Sequence, residues 1–312
     1  MEFTAPHNGR LDTLLMETLP EFSRHRIKRG IAGGAVRVNG VVAAKAGAKV
    51  KLGAFISADE TIFPPAADKR RPLPAPKIPL EILYEDDDCL VVNKPAGLLT
   101  HPTATRLADT LAGALLARYP SLATVGENPL RPGIVHRLDE NTSGLLVFAK
   151  TQIAFKFLKR QFIGRSVQKT YLALVEGVPV QKEGVIEYAI RPSSKNPAKR
   201  VAIKRVLPHG TEKREKKSVR EAETRYRVVE SFGKRYALME LKPKTGRTHQ
   251  IRVHLAAIGH PVVGDTLYGS RTRGIRQLLH AARLEFIRPN RKSISLTSPL
   301  PHDFRLFLKK LK

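Results

Sequence analysis

One carboxylate stands out in residues 131–149, where Asp139 lies between two apolar runs. These runs, residues 134–135 and 145–149, predict strands over residues 133–136 and 145–149. The residues between them include Arg137 and a Thr-Ser-Gly turn. A carboxylate on a constrained loop at strand ends, with a cation beside it, can act as a nucleophile or a base. Taken alone, an aspartate before such a turn is more often a turn or cap residue.

A second candidate is Arg252, which lies in a segment with helical periodicity. Ile251, Leu255 and Ile258 recur at i, i+4 and i+7, a pattern that predicts a helix over residues 248–258 with a buried stripe. Arg252 lies about 100° around the helix from Ile251, at the edge of that stripe. It can therefore reach inward, although a surface arginine is common on so basic a protein.

A third candidate is Tyr171, in a predicted strand over residues 170–176. Strand alternation places Tyr171, Ala173 and Val175 on one face. A core tyrosine is the ordinary interpretation of this pattern.

The sequence predicts neither a metal site nor a disulfide. Cys89 is the sole cysteine, which excludes an intrachain disulfide and a four-thiolate zinc site. His249 and His254 are five residues apart, so they do not share a helical face as ligands four apart would. No long uncharged apolar stretch or apolar leader is present, and we expect a cytoplasmic protein.

The charge balance points to a polyanionic partner. The 312 residues include 55 Lys and Arg against 28 Asp and Glu, a net charge of +27. Nucleic-acid phosphates would bind such a surface in a salt-dependent way. A structural protein of the ribosome would show the same charge, so composition does not separate an enzyme from a binding protein.

The chain is predicted to hold two folded domains joined by a linker. A small domain spans residues 9–62, a proline-rich linker spans 63–79, and a larger domain spans 80–312. In the larger domain, short strands that neighbour each other in sequence alternate with a few helices. This order predicts a largely antiparallel α+β fold.

Three motifs of the larger domain together resemble the RluA-type RNA pseudouridine synthases. They are residues 93–102 (NKPAGLLTHP), residues 131–149 around Asp139, and residues 241–255 around Arg252. The resemblance implies a bent mixed sheet with a central cleft and conversion of uridine to pseudouridine without a cofactor. In the first motif we interpret Lys94 as a support for the cleft.

The resemblance also implies roles for individual residues. Asp139 would be the essential catalytic residue, Arg252 would pair with it, and Tyr171 would stack on the target base and accept a proton. Leu279 would pack against the base. Arg137 would enter the space that the extruded base leaves, although a phosphate contact is the alternative.

The small domain resembles the RNA-binding domain named after ribosomal small-subunit protein four, a small α/β unit. Its second predicted helix is strongly basic, and Val36-Arg-Val-Asn-Gly40 predicts a hairpin with a tight turn. We expect four cations of this helix to contact RNA: Arg24, Arg26, Lys28 and Arg29. A basic run over residues 191–220 predicts further phosphate contacts, including Lys199 and Arg200.

The predicted function is therefore site-specific pseudouridine formation in structured RNA. Large-subunit ribosomal RNA is the expected substrate, and transfer RNA is the alternative. A ribosome-assembly factor that kept the fold without catalysis is a rival, although Asp139, Tyr171 and Arg252 are all present. A methyltransferase would need a glycine-rich loop after a strand, and none is convincing. No obligate protein partner and no membrane association are predicted.

Overall fold

The computed structural model describes residues 1–19, 22, 24–59, 71–103, 106–204 and 219–312, with residues 24–26 described in the backbone alone. The chain divides into two compact units, Met1–Arg70 and Arg71–Lys312. The predicted linker lies partly outside the described residues, and its described part belongs to the larger unit. There the Ala75 N–H donates to the Gly113 carbonyl at 3.0 Å.

The smaller unit combines two helices with short strands. Its elements in chain order are β1 (Glu2–Thr4), β2 (Gly9–Arg10), α1 (Leu11–Thr18), α2 (Arg24–Ala32), β3 (Val36–Val38), β4 (Val41–Val42), β5 (Lys49–Val50) and β6 (Phe55–Ala58). Four strands form a sheet in the order β1-β6-β3-β4, and β2 pairs with β5. Leu11, Leu14 and Leu15 of α1 pack with Ile27 and Ile31 of α2 in its core.

The predicted hairpin is confirmed. Strands β3 and β4 pair antiparallel with Val38 opposite Val41. Asn39 and Gly40 between them have φ angles of 49° and 79°, and two positive φ values in succession are what the tight primed turn requires.

The larger unit begins with β7 (Ile82–Glu85), β8 (Cys89–Lys94), α3 (Leu111–Arg118), β9 (Ser143–Ala149), α4 (Gln152–Ile163) and β10 (Gln168–Glu176). It continues with β11 (Glu183–Ile186), β12 (Ala189–Pro192), β13 (Arg200–Ile203), β14 (Thr224–Phe232) and β15 (Tyr236–Pro243). It ends with α5 (Gln250–Ala257), β16 (Leu279–Ile287), β17 (Ser293–Thr297) and α6 (His302–Lys309). None of the helices in the described ranges is long and apolar enough to cross a membrane.

Nine strands of this unit form one mixed sheet within the described residues. Its order is β11-β14-β15-β10-β16-β9-β8-β7, with β17 beside β16. Neighbouring strands pair antiparallel except β9 and β16, which run parallel. The α+β prediction is thus confirmed. Buried apolar side chains on β8, β9 and α3 form the largest core cluster, which includes Leu90, Leu146, Phe148 and Leu115.

The prediction of a strand at residues 133–136 is wrong. The structure has a single bridge there, between Ile134 and Phe148. Gly133 adopts a φ of 66°, which interrupts the extended backbone. The Val147 N–H donates to the His136 side chain, at Nε2, over 3.1 Å. A ring nitrogen therefore takes the place of the carbonyl that a neighbouring strand would supply.

Gly144 allows the parallel strands β9 and β16 to meet beside the Asp139 loop. It pairs with Ala281 and has a φ of 113°. A Cβ atom at this position would lie 2.3 Å from the Ala281 carbonyl oxygen. Only glycine fits such an approach, because both the conformation and the space exclude a side chain.

We expect Gly144→Ala to lower the free energy of unfolding by about 3 kcal/mol or more, since strain and a backbone clash combine. Gly259→Ala is the matched control. Gly259 also has a positive φ, 87°, but a Cβ atom added there would meet nothing within 4 Å. That variant should lose about 1 kcal/mol. Urea denaturation measures both, and equal losses would contradict the steric argument.

Candidate active site

The Asp139 backbone is fixed on both sides by hydrogen bonds. The Thr100 hydroxyl donates to the Leu138 carbonyl at 2.8 Å and accepts from the Leu138 N–H at 3.3 Å. The Thr142 N–H donates to the Asp139 carbonyl at 3.1 Å. The loop that carries the carboxylate is therefore anchored to the first motif and closed on itself.

Lys94 is a second anchor for this loop. It is fully buried, and its ammonium group donates to the carbonyls of Pro95, Leu98 and Glu140 at 2.7, 2.8 and 2.8 Å. Burial lowers the pKa of Lys94 to about 7, and the negative charge of Asp139 acts in the opposite direction. These contacts are those of a residue that supports the cleft.

The centre of the site is an arginine between two carboxylates. Arg252 on α5 donates from Nη1 to Asp139 Oδ2 at 3.1 Å. On its other side, Nε and Nη2 donate to Asp265 Oδ2 and Oδ1 at 2.6 and 2.9 Å. Arg252 is 7% exposed and Asp265 2%. Although burial acts to lower the pKa of Arg252, its hydrogen bonds and ion pairs raise it.

Asp265 was not among the residues expected from the sequence. It follows Gly264 in a segment with no recognised motif, and its partner lies 13 residues earlier in the chain. Its two oxygens fix the guanidinium plane by a bidentate contact. Arg252 thus keeps one nitrogen for Asp139, and among the described residues no hydrogen bond reaches Asp139 Oδ1.

His249 and Tyr268 extend the polar centre, and the sequence had assigned a role to neither. His249 Nε2 lies 3.9 Å from Asp139 Oδ2. Its Nδ1 lies 2.9 Å from the Tyr268 hydroxyl, and the Tyr268 ring covers the Arg252 guanidinium at 5.1 Å. Burial lowers the pKa of His249, and the Asp139 charge acts to raise it.

Tyr171 and Leu279 lie on adjacent strands and both line the cleft at Asp139. In the antiparallel pair of β10 and β16, Tyr171 is opposite Ala281 and Ala173 is opposite Leu279. Leu279 is buried at 3% exposure. Burial and the Asp139 charge raise the pKa of Tyr171 above its ordinary value, so its hydroxyl stays protonated at neutral pH.

These residues surround a cleft of about 610 Å³. Its inner lining includes Asp139, Tyr171, Arg252 and Leu279. Arg137 also lines it and is exposed. Further cations surround the same space: Arg131, Lys159, Arg165, Lys169, Lys244 and Arg247. One acidic group in a basic cleft suits a polyanionic substrate that is acted on by a carboxylate.

Lys199 and Arg200, two of the other expected RNA contacts, are not among the described residues that line this cleft. Lys28 and Arg29 are exposed on α2, while the side chains of Arg24 and Arg26 lie outside the described residues. Lys199 and Arg200 are half-buried at the turn between β12 and β13. Residues 205–218 of the basic run also lie outside the described residues. In the described ranges, no group of three or more His, Cys, Asp or Glu is arranged to hold a metal ion.

Two histidines beside the cleft are held neutral. His101 Nδ1 lies 2.8 Å from the Pro102 carbonyl, and His136 stacks on Phe162 with 4.5 Å between ring centroids. Burial, with the charges of Arg131 and Arg137, lowers the pKa of His101 to about 4. Burial and the charge of Lys169 lower the pKa of His136 to about 3.

Stability should fall as the pH decreases from 6.5 to 4, because the unfolded chain protonates these histidines near 6.5 and the folded chain does not. Each contributes about 1.4 kcal/mol per pH unit in this window. Urea denaturation at several pH values measures the slope, to which carboxylates also contribute. Glutamine does not titrate, so the free energy of unfolding of His101→Gln should fall by about 1.4 kcal/mol less per pH unit than that of the intact protein. An unchanged slope would contradict the assignment of His101.

Comparison with protein families identifies both units. Residues 88–257 match the family described as RNA pseudouridylate synthase. Residues 9–56 match the S4 domain. The first match contains Asp139, Tyr171 and Arg252, and the second contains the basic helix α2.

Relatives cover nearly the whole chain. An uncharacterized RNA pseudouridine synthase of Chloroflexus aurantiacus is 42% identical and covers 97% of this chain and 90% of its own. The ribosomal large subunit pseudouridine synthase D of Haemophilus ducreyi is 37% identical, and the match covers 97% of this chain and 91% of that protein. The ribosomal large subunit pseudouridine synthase D of Nitrosomonas europaea is 39% identical, and the match covers 100% of this chain and 88% of that protein.

Solved structures agree with these matches. Human RNA pseudouridylate synthase domain containing 4 superimposes with a TM-score of 0.58 at 28% identity, covering 74% of this chain and 92% of its own. Human RNA pseudouridylate synthase domain containing 1 superimposes with a TM-score of 0.55 at 30% identity, covering 75% of this chain and 94% of its own. The expected fold, with its appended S4 domain, is confirmed. The chain belongs to the RNA pseudouridylate synthase family.

Proposed function

We propose that this enzyme isomerises specific uridines to pseudouridine in large-subunit ribosomal RNA, and that it does so in the cytoplasm. The observation that carries the chemistry is Asp139, whose carboxylate lines a basic cleft and is paired with Arg252 at 3.1 Å. The substrate is supported by relatives whose names specify the ribosomal large subunit. The strongly basic S4 domain supports a structured RNA.

The reaction needs a negative charge at the ribose. The bond between ribose carbon-1′ and uracil N1 must break, and positive charge develops on the sugar. In our proposal Asp139 supplies an electron pair, either to carbon-1′ as a nucleophile or to the carbon-2′ proton as a base. The freed uracil then turns, its carbon-5 bonds to carbon-1′, and the proton on carbon-5 leaves. No group is added and nothing is oxidised.

Arg252 serves this step by keeping Asp139 ionised and oriented. A carboxylate that is partly removed from water would otherwise bind a proton more readily. Because Asp265 holds two nitrogens of the guanidinium, the third is presented to Asp139 in one geometry. We assign Arg252 as the partner of the catalytic carboxylate and Asp265 as its positioning residue.

Tyr171 and Leu279 are assigned to the base. Both line the cleft next to Asp139, one with an aromatic face and the other with an aliphatic side chain. A flat uracil can stack on the first and pack against the second. A neutral Tyr171 hydroxyl can take the carbon-5 proton only if it passes its own proton on or ionises first. Arg137, which is exposed at the cleft, is assigned to the space that the extruded base vacates.

Two sets of cations are assigned to the RNA backbone. The first lies on α2 and comprises Arg24, Arg26, Lys28 and Arg29. The second comprises Lys199 and Arg200 at the turn between β12 and β13. Contacts of this kind position an RNA without reading its sequence, and their contribution weakens with salt.

The test is tritium release from RNA labelled at uridine carbon-5. Protein-free large-subunit ribosomal RNA, small-subunit ribosomal RNA and transfer RNA are compared under single-turnover conditions. We expect release from the large-subunit RNA alone, with a plateau at a small whole number of sites. Release from transfer RNA alone would overturn the proposed substrate and leave the chemistry standing. Tight binding without release from any RNA would favour a non-catalytic assembly factor.

A further inference from the structure

His249 is held in the cleft in a conformation that costs free energy. It precedes α5 with φ 57° and ψ 20°, in the left-handed region that residues other than glycine adopt rarely. Its side chain is 17% exposed and lines the cleft with Asp139 and Tyr171. Strain of this kind persists where the surrounding structure fixes it, and it is concentrated at functional sites.

The contacts of Tyr268 favour one tautomer of His249. The Tyr268 hydroxyl accepts the Arg200 backbone N–H at 2.9 Å and lies 2.9 Å from His249 Nδ1. If the hydroxyl donates to Nδ1, each of these polar groups is satisfied. The neutral imidazole then carries its proton on Nε2.

That Nε2–H points to the reacting region and has no acceptor in the described part of the protein. The nearest carboxylate oxygen, Asp139 Oδ2, is 3.9 Å away, which is too long for a hydrogen bond. The same oxygen already accepts from Arg252. Because the side chain is partly exposed in the cleft, water can accept this proton in the free enzyme, and a nucleotide in the cleft can replace that water.

The chemistry of the reaction indicates which atom accepts it. When the bond from carbon-1′ to N1 breaks, its electron pair leaves with the uracil and spreads to oxygens O2 and O4. Asp139 neutralises the resulting positive charge on the ribose. It does so either by bonding to carbon-1′ or by removing the proton from carbon-2′. O2 is the base oxygen closest to carbon-1′, so it is the one nearest to Asp139.

Resting on the proposed function, we propose that His249 is a further catalytic residue whose Nε2–H donates a hydrogen bond to O2 of the departing uracil. The donor stabilises negative charge that exists only once the bond has begun to break. It acts like an oxyanion-hole group, and removal of one such group typically slows catalysis by about 10²–10³-fold. Tyr268 is then a positioning residue, because it fixes the tautomer.

The test compares His249→Ala with the intact protein on two RNAs, one with uridine and one with 5-fluorouridine at the target site. Fluorine withdraws electrons and stabilises the negative charge on the departing base, so the reaction depends less on a hydrogen-bond donor at O2. Conversion is followed in single turnovers with a carbon-14 label in the target nucleoside, by nuclease digestion and chromatography, because uridine and pseudouridine have the same mass. We expect a loss of about 10²-fold with uridine and of about 10-fold or less with 5-fluorouridine.

Two further variants separate catalysis from folding. His249→Gln places an amide N–H near the Nε2 position and should recover part of the rate on uridine. His302→Ala, at an exposed position where α6 begins, should match the intact protein on both RNAs. RNA affinity should be the same for all four proteins, because the proposed hydrogen bond forms in the transition state.

Three results would overturn the proposal. His249→Ala could react as fast as the intact protein, could lose rate equally on both RNAs, or could lose rate only through weaker RNA binding. Each would leave the proposed function intact, because the intact protein would still convert uridine. An intact protein that converts neither RNA would overturn the proposed function, and this inference with it.

Discussion

The ion-pair chain from Asp265 through Arg252 to Asp139 is the interaction on which the site depends. Arg252 and Asp265 are buried, and burial of unpaired charges would be costly. The bidentate contact with Asp265 pairs most of the guanidinium and leaves Nη1 for Asp139. The Asp139 carboxylate is thus paired with a fixed cation, while its Oδ1 makes no hydrogen bond within the described residues. In the proposed reaction that oxygen is available to the ribose.

The fold brings Asp139 together with Arg252, which lies 113 residues later in the chain, and with Asp265. Asp139 precedes β9, Arg252 lies on α5, and Asp265 follows that helix. The loop before β9 is fastened by Lys94 and Thr100, while the parallel contact of β9 with β16 places Leu279 beside it. Burial of Lys94 and the positive φ of Gly144 both cost free energy of folding, and both residues help to fix the position of the Asp139 carboxylate.

Much of this arrangement could be predicted from the sequence, because its signals are local. The Asn39-Gly40 turn follows from backbone preference, and the inward edge position of Arg252 follows from helical spacing. Asp139 was found through a long motif. Its residue type alone favours a turn, and the motif shows only that its surroundings match those of a catalytic loop.

The rest depends on tertiary contacts that leave no local pattern. Asp265 becomes a partner of Arg252 only after α5 and the following segment have folded together. His249 looks like half of a poor metal pair in the sequence, yet Tyr268 and Asp139 give it a different environment. The predicted strand at residues 133–136 failed because the His136 side chain accepts the Val147 N–H, which no pattern of apolar residues reveals.

The central claim is that the reaction depends on the Asp139 carboxylate, and Asp139→Asn tests it most directly. The substitution keeps the size of the side chain and removes its charge. With carbon-5-tritiated large-subunit ribosomal RNA, we predict no release above background while RNA affinity stays within a few-fold of the intact protein. Asp87→Asn, at an exposed position, is the control and should release tritium normally. Equal release by Asp139→Asn and the intact protein would contradict the account.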